Sequence, residues 1–196
     1  FLLARRGAAA TGAELIVCLG VYFMAEAADV LRAPHQTVVL PDLGAGCHLA
    51  ECADIFTVRD AWAQMSEALP GKRVIPLTYM NSGADLKAFV GEHGGAVCTS
   101  GNAVAVVESL GADRVIFLPD QYLGRYVASQ TDTEIILWDG SCVVHERFTG
   151  AEIRDYRRGL GGGQGIPHPQ CPPHVPARAD HVGSTSGMVK LAKGNH

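Results

Sequence analysis

No stretch of this sequence is apolar for long enough to cross a bilayer. The longest run, Leu15 to Ala25, is broken by Gly20 and falls well short of the roughly 20 residues that a spanning helix needs. Arg5 and Arg6 precede it as the basic end of a secretory leader would, but Glu14 borders the run and Glu26 and Asp29 follow it, which argues against export. A surplus of positive charge is also missing. Sixteen Lys and Arg stand against 20 Asp and Glu, a net charge of -4, so there is no general attraction to nucleic acid or an anionic membrane, although a local basic patch could still hold phosphate. A dense cysteine framework is missing too. The six cysteines lie at 18, 47, 52, 98, 142 and 171, too scattered for a small disulfide scaffold in a chain too long to need one. This usage fits a reducing cytoplasm in which some thiols serve as ligands.

What is present is apolar residue in quantity, 47% of 196 residues, which suffices for a core in one domain or two small ones. Beta-branched runs at Leu15 to Val21, Thr37 to Leu40, Arg73 to Leu77, Arg114 to Leu118 and Thr133 to Leu137 read as strands, the first of them buried and entering a helix. Between them lie helical patterns, such as Val58, Ala61, Trp62, Met65 and Leu69. Continuous apolar strands separated by helices predict a parallel sheet covered on both faces. Three four-residue runs beginning at Thr57, Ser82 and Thr149 have the form of capping boxes at helix starts.

A unit also repeats. Gly20 to Phe23, a helix, then Thr37 to Asp42 and Cys47 parallels Pro119 to Leu123, a helix, then Glu134 to Asp139 and Cys142. Each ends as strand, Asp, short loop, Cys. In the same frame, Val97 to Asn102 has a later partner in Val182 to Gly187, each a strand end followed by a small polar turn. Repetition of one supersecondary unit predicts related domains. The span 159–173 holds five glycines and four prolines and cannot sustain a helix or a central strand.

Several ordered motifs give the sequence a family resemblance. Gly20 to Glu26 reads Gly-Val-Tyr-Phe-Met-Ala-Glu, and Pro41 to Cys47 reads Pro-Asp-Leu-Gly-Ala-Gly-Cys. Tyr79-Met80-Asn81, Cys98 to Ala103, Gly140 to His145, His168 to Cys171 and Gly183 to Thr185 complete the series. Across nearly its whole length the chain resembles the quinolinate synthase family. The resemblance implies a transferase that condenses iminoaspartate with dihydroxyacetone phosphate, losing phosphate and water, for NAD biosynthesis in the cytoplasm. It further implies a 4Fe-4S cluster held by three cysteines between three similar domains, its fourth iron open as a Lewis acid. The aspartate-oxidising enzyme that supplies iminoaspartate is the implied protein partner.

Carried onto this sequence, the resemblance makes Cys47 and Cys142 two of the cluster ligands, and Cys98 none. Thiolates suit iron–sulfur ligation, and an open metal position can polarise a substrate oxygen. Tyr79 and His168 become the catalytic candidates, His168 because imidazole titrates near neutral pH. Asn81, Ser100, Asn102, Ser184 and Thr185 become substrate-binding candidates at strand ends and helix starts, where alpha/beta proteins place ligands and anions. His145 is a lesser candidate.

The expected fold is a pseudo-threefold repeat of parallel-sheet alpha/beta/alpha domains. Residues 57–148 are the one nearly complete domain, with 1–56 and 149–196 partial ones. The sequence departs from the family pattern in three ways. It starts at Phe1, inside the helix expected after a Gly-Asp-Ser turn, and ends at His196, before a third cluster cysteine. Position 170 is Gln where the pattern has a catalytic Glu, and Gln cannot act as a carboxylate base. The run Gly161 to Gly165 replaces an apolar strand. The chain alone is therefore expected to hold no stable cluster and to be inactive. Two other readings remain: a zinc module on His168, Cys171 and His174, and a non-catalytic alpha/beta module.

Overall fold

The computed structural model describes residues 2–159 and 161–194. After helix α1 (Leu2–Ala9), strand β1 (Leu15–Val17) leads to α2 (Tyr22–Leu31) and then to β2 (Thr37–Val39), which pairs with β1 in parallel. The short α3 (His48–Glu51) and longer α4 (Ile55–Ala68) follow. Next come β3 (Val74–Tyr79), α5 (Ala84–Glu92), β4 (Ala96–Cys98), α6 (Ala103–Leu110), β5 (Arg114–Leu118), α7 (Gln121–Ala128) and β6 (Glu134–Leu137). These four strands form one parallel sheet in the order β4-β3-β5-β6. Helices α8 (Gly150–Gly159) and α9 (Thr185–Gly194) close the chain. The protein is thus an alpha/beta protein with parallel sheets.

The larger sheet is covered on both faces because its central strands are apolar at successive positions, and alternate side chains point to opposite sides. Val115 and Phe117 face one core cluster with Leu77, Val107, Leu123 and Val127. Ile116 and Leu118 face the other with Val58, Leu86, Phe89 and Val90. The chain leaves β3 toward one edge, at β4, and later leaves β5 toward the other, at β6. The carboxyl ends of β3 and β5 therefore flank a topological switch point, the crevice where such sheets bind ligands.

The smaller sheet differs from expectation. β1 stops at Val17 rather than Val21, and Leu15 and Val17 are 63% and 56% exposed, so this strand is not buried. With a single partner strand, it has no second neighbour to cover it. The later turn at Val182 to Gly187 is likewise preceded by no strand, although α9 does start from it. β3 runs two residues past Leu77 and delivers Tyr79 to the crevice.

Of the three expected capping boxes, one forms. Thr149 and Glu152 cap each other reciprocally at the start of α8, the Thr149 N–H donating to Glu152 and the Glu152 N–H to the Thr149 hydroxyl. At α4 the cap is Asp54, whose carboxylate accepts the Phe56 and Thr57 N–H groups and the Thr57 hydroxyl, so the helix starts earlier than Thr57 implied. Ser82 turns inward to the Tyr79 carbonyl, leaving Gly83 at the cap of α5. The Ala84 N–H instead donates across to the Glu26 carboxylate of α2, at 3.0 Å. Residues 161–173 contain neither helix nor strand, as their glycines and prolines dictate.

Candidate functional site

Three turns converge beyond the carboxyl end of the larger sheet. The first follows β3 and carries Tyr79 and Asn81; the second follows β4 and carries Ser100 and Asn102; the third opens α9 with Ser184 and Thr185. Gly101 lets the second and third turns touch, because a Cβ there would stand 3.1 Å from the Ser184 oxygen. Together they line a cavity of about 760 Å3. All six residues named here were candidates from sequence, and they occupy one wall system. Lys190, one turn further along α9, adds the cavity's charged side chain.

The polar groups of this cavity are orientated. The Asn102 carbonyl oxygen accepts both the Thr99 N–H, at 2.6 Å, and the Thr99 hydroxyl, at 2.8 Å. Since a backbone N–H can only donate, the Asn102 amide is fixed with its NH2 group free of that bond. Asn102 makes no side-chain cap to α6, so it shapes the turn rather than closing the helix. The Ser184 hydroxyl oxygen accepts the Gly187 N–H at 3.2 Å and orders the first turn of α9. Tyr79 is buried, and burial pushes its phenol up to about 12 against the lowering effect of the Ser100 hydroxyl. It is a neutral O–H at any ordinary pH, suited to donating a hydrogen bond.

His168 lies behind this wall, its Nε2 3.0 Å from the Ser100 hydroxyl. Burial, and then the neighbouring His145, push the imidazole down to about 4, so it does not titrate near neutrality as its residue type suggested. The two rings stand 4.9 Å apart between centroids. Gln170 is buried beside them and donates from Nε2 to Asp120 Oδ2 at 2.7 Å. Asp120 is fully buried at the start of α7, where its other oxygen accepts the Leu123 N–H. Burial pushes this carboxyl up to about 6.

Asp120 entered the sequence reading only as part of a repeat, and Lys190 not at all. A signal existed for Lys190, which stands four residues after Ser186 on the same helix face.

Cys47 and Cys142 are free, half-buried thiols that pack against the same core cluster, the one beneath Tyr79 and Cys98. Each follows the loop after a strand that its repeat unit predicts. Gly140 permits the second loop: its carbonyl accepts the Gln121 N–H at 2.8 Å, and a Cβ on it would stand 2.3 Å from the Pro119 carbonyl oxygen. Cys98 is buried and pushed up to about 12, a thiol held neutral. Burial also raises the Cys171 thiol. Among the described residues, no three or more His, Cys, Asp or Glu side chains are grouped so as to hold a metal ion. His168, Cys171 and His174 therefore form no zinc site, and both His168 ring nitrogens already have partners. The thiols of Cys47 and Cys142 fit iron–sulfur ligation in kind, but among the described residues no third ligand is grouped with them.

The fold and the site define a parallel alpha/beta protein with a polar cavity at the carboxyl ends of its strands and two half-buried thiols on the core beside it. The family model described as quinolinate synthetase A protein matches residues 1–196. Quinolinate synthase 1 of Mesorhizobium japonicum is 50% identical over 183 residues, covering 93% of this chain and 53% of that protein. Quinolinate synthases of Streptomyces coelicolor and Geobacillus kaustophilus are 41% and 42% identical, covering 97% of this chain and 55% and 59% of theirs. The chain belongs to the quinolinate synthetase A family, and it spans about half the length of the curated relatives it matches.

Proposed function

We propose that this chain carries the substrate cavity of a quinolinate synthase, in which iminoaspartate condenses with dihydroxyacetone phosphate to give quinolinate for NAD biosynthesis. The observation that carries the reading is the convergence of Tyr79, Asn81, Ser100, Asn102, Ser184 and Thr185 on one cavity whose charged group is the Lys190 ammonium. Both substrates are anions, a dicarboxylate and a phosphate ester. An ammonium, the Asn81 and Asn102 amides, hydroxyls and the first turn of α9 favour such groups.

In this reading Ser184, Thr185 and Lys190 hold an acidic group at the start of α9, while Asn81, Ser100 and Asn102 orient the second reactant. Tyr79 donates a hydrogen bond to a substrate oxygen as negative charge develops there, which its high pKa suits better than proton abstraction. Neutral His168 supports Ser100 from behind. A 4Fe-4S cluster, held in part by Cys47 and Cys142, supplies Lewis acidity when bound. Those two thiols are fewer than the three the family resemblance calls for.

The same reading divides the chain near 57–148, with the sequences on either side contributing to neighbouring units. It is also a cytoplasmic reading; among the described residues no helix is long and apolar enough to cross a membrane. The aspartate-oxidising enzyme remains the proposed source of iminoaspartate.

Calorimetric titration of the chain with inorganic phosphate and with a four-carbon dicarboxylate tests the cavity. Saturable binding that weakens in Ser184→Ala and Lys190→Ala is expected. No binding of either anion, or binding indifferent to both substitutions, would overturn the assignment. Anaerobic reconstitution with iron and sulfide tests the cluster: a substoichiometric, labile product without quinolinate formation is expected, and a stable four-iron cluster with turnover would contradict it.

A further inference from the structure

Behind Ser100 a line of polar groups runs inward to the corner between β5 and α7, and its directions are determined. The Gln170 backbone nitrogen lies 3.3 Å from His168 Nδ1, and a backbone N–H can only donate. An imidazole nitrogen that accepts a hydrogen bond carries no proton, so neutral His168 has its proton on Nε2. That nitrogen is 3.0 Å from the Ser100 oxygen, which therefore accepts on its inner side. The Ser100 hydroxyl proton is thereby turned outward, to the Tyr79 phenol with which Ser100 shares a hydrogen bond and to the cavity that both residues line.

The Gln170 side chain decides where its backbone stands. Its Nε2 donates to Asp120 Oδ2 at 2.7 Å, with both residues buried, and Asp120 is itself fixed by the Leu123 N–H at 2.8 Å. From this we infer that Asp120 and Gln170 are positioning residues: they hold His168 in its Nε2–H tautomer and so make Ser100 a hydrogen-bond donor on its cavity side, toward the Tyr79 phenol and a phosphate or carboxylate group placed beside it. The ligand in this inference rests on the anion-binding reading above; the tautomer does not.

The identity of residue 170 matters for the same reason. A Glu in this place, as in the family pattern, would set two buried carboxyl groups against each other, and one could donate only while the pair kept a proton. Gln supplies the N–H at every pH.

Long-range proton–nitrogen correlation spectra of the full chain, without ligand at neutral pH, read which ring nitrogen of His168 is protonated. The expected result is a single Nε2–H form. Gln170→Leu removes the anchor without touching the cap of α7, and should release the ring into a mixture of tautomers. Asp120→Asn keeps one oxygen for the Leu123 N–H and offers an NH2 group that a flipped Gln170 amide can meet with its oxygen, so it should preserve the native form, whereas Asp120→Ala should resemble Gln170→Leu. An Nδ1–H ring in the native chain, or a Gln170→Leu ring that stays wholly Nε2–H, would overturn the inference.

In the same spectra, inorganic phosphate should bind the native chain about three- to tenfold more tightly than Gln170→Leu, the range one neutral hydrogen bond spans. Equal affinity in the two proteins despite different tautomers would break the link from ring to Ser100. Failure of phosphate to bind the native chain counts against the anion-binding reading alone, since the tautomer is read in its absence.

Discussion

The unit built on β1 and β2 and the unit built on β5 and β6 make the same local ties in different surroundings. In the first, the Tyr22 N–H at the start of α2 donates to Ala45 in the loop before Cys47, at 2.7 Å. In the second, the Gln121 N–H at the start of α7 donates to Gly140 in the loop before Cys142, at 2.8 Å. Strand, Asp, loop and Cys recur because the backbone bonds recur. Burial does not: Leu15 and Val17 are largely exposed, while Val115, Phe117 and Leu118 are fully buried. Local sequence sets the shape of each unit, and the number of neighbouring strands sets how much apolar surface it removes from water.

The sharpest way to break this comparison is to truncate matched positions. Phe117→Ala should destabilise by about 3–5 kcal/mol, the usual cost of emptying a buried aromatic site. Val17→Ala should stay within about 0.5 kcal/mol, as for ordinary surface changes. Urea denaturation giving similar losses for the two would show that the smaller sheet is better covered than its exposure implies.

Next in size is the loop before each cysteine. Gly140→Ala meets the Pro119 carbonyl, which is backbone and cannot turn away, so a loss of about 1–3 kcal/mol is expected, as in overpacked sites. Gly46→Ala meets only the Glu51 carboxylate, which can swing aside, and should melt close to the native temperature. Alkylation should speed up at Cys142 in Gly140→Ala and stay unchanged at Cys47 in Gly46→Ala. The reverse order of rates would contradict the account of how each loop is held.

The last contrast appears only as a dependence on pH. Asp120 is raised from 3.8 to about 6, so the folded state keeps this proton more tightly and the residue's contribution to stability is lost as pH rises through that window. Gln170, the Leu123 and Tyr122 N–H groups and the Glu146 charge face it. Replacing Asp120 by Asn removes the loss, so the stability of Asp120→Asn relative to native should climb by about 1.4 kcal/mol per pH unit between roughly pH 4 and 6, then level off. Parallel profiles for Asp120→Asn and native protein would sink the assignment of a raised carboxyl.

The strands at 37–39, 114–118 and 134–137 were legible because beta-branched runs bounded by turn residues leave few alternatives. The cavity was legible as a set of motifs, yet its assembly was not, since residues 79, 100 and 184 meet through the order of strands. Thr57 misled because Asp54, three residues earlier, caps the helix first and takes the Thr57 hydroxyl as well as the Phe56 and Thr57 N–H groups. His168 misled because desolvation depends on neighbours distant in sequence. The Asp120–Gln170 bond joins residues 50 apart and leaves no local pattern at all.

The bond from the Ala84 amide to Glu26 joins α2 to the first turn of α5, with Lys87 of α5 lying over the Phe23 ring of α2 at 5.6 Å. That amide proton lies outside the β3–β5 ladder and is shielded by a side chain from the other unit. It exchanges with solvent whenever α2 lifts away, even while the central strands stay closed. A single hydrogen in the middle of the chain thus reports on the seating of α2 against α5, separately from global unfolding.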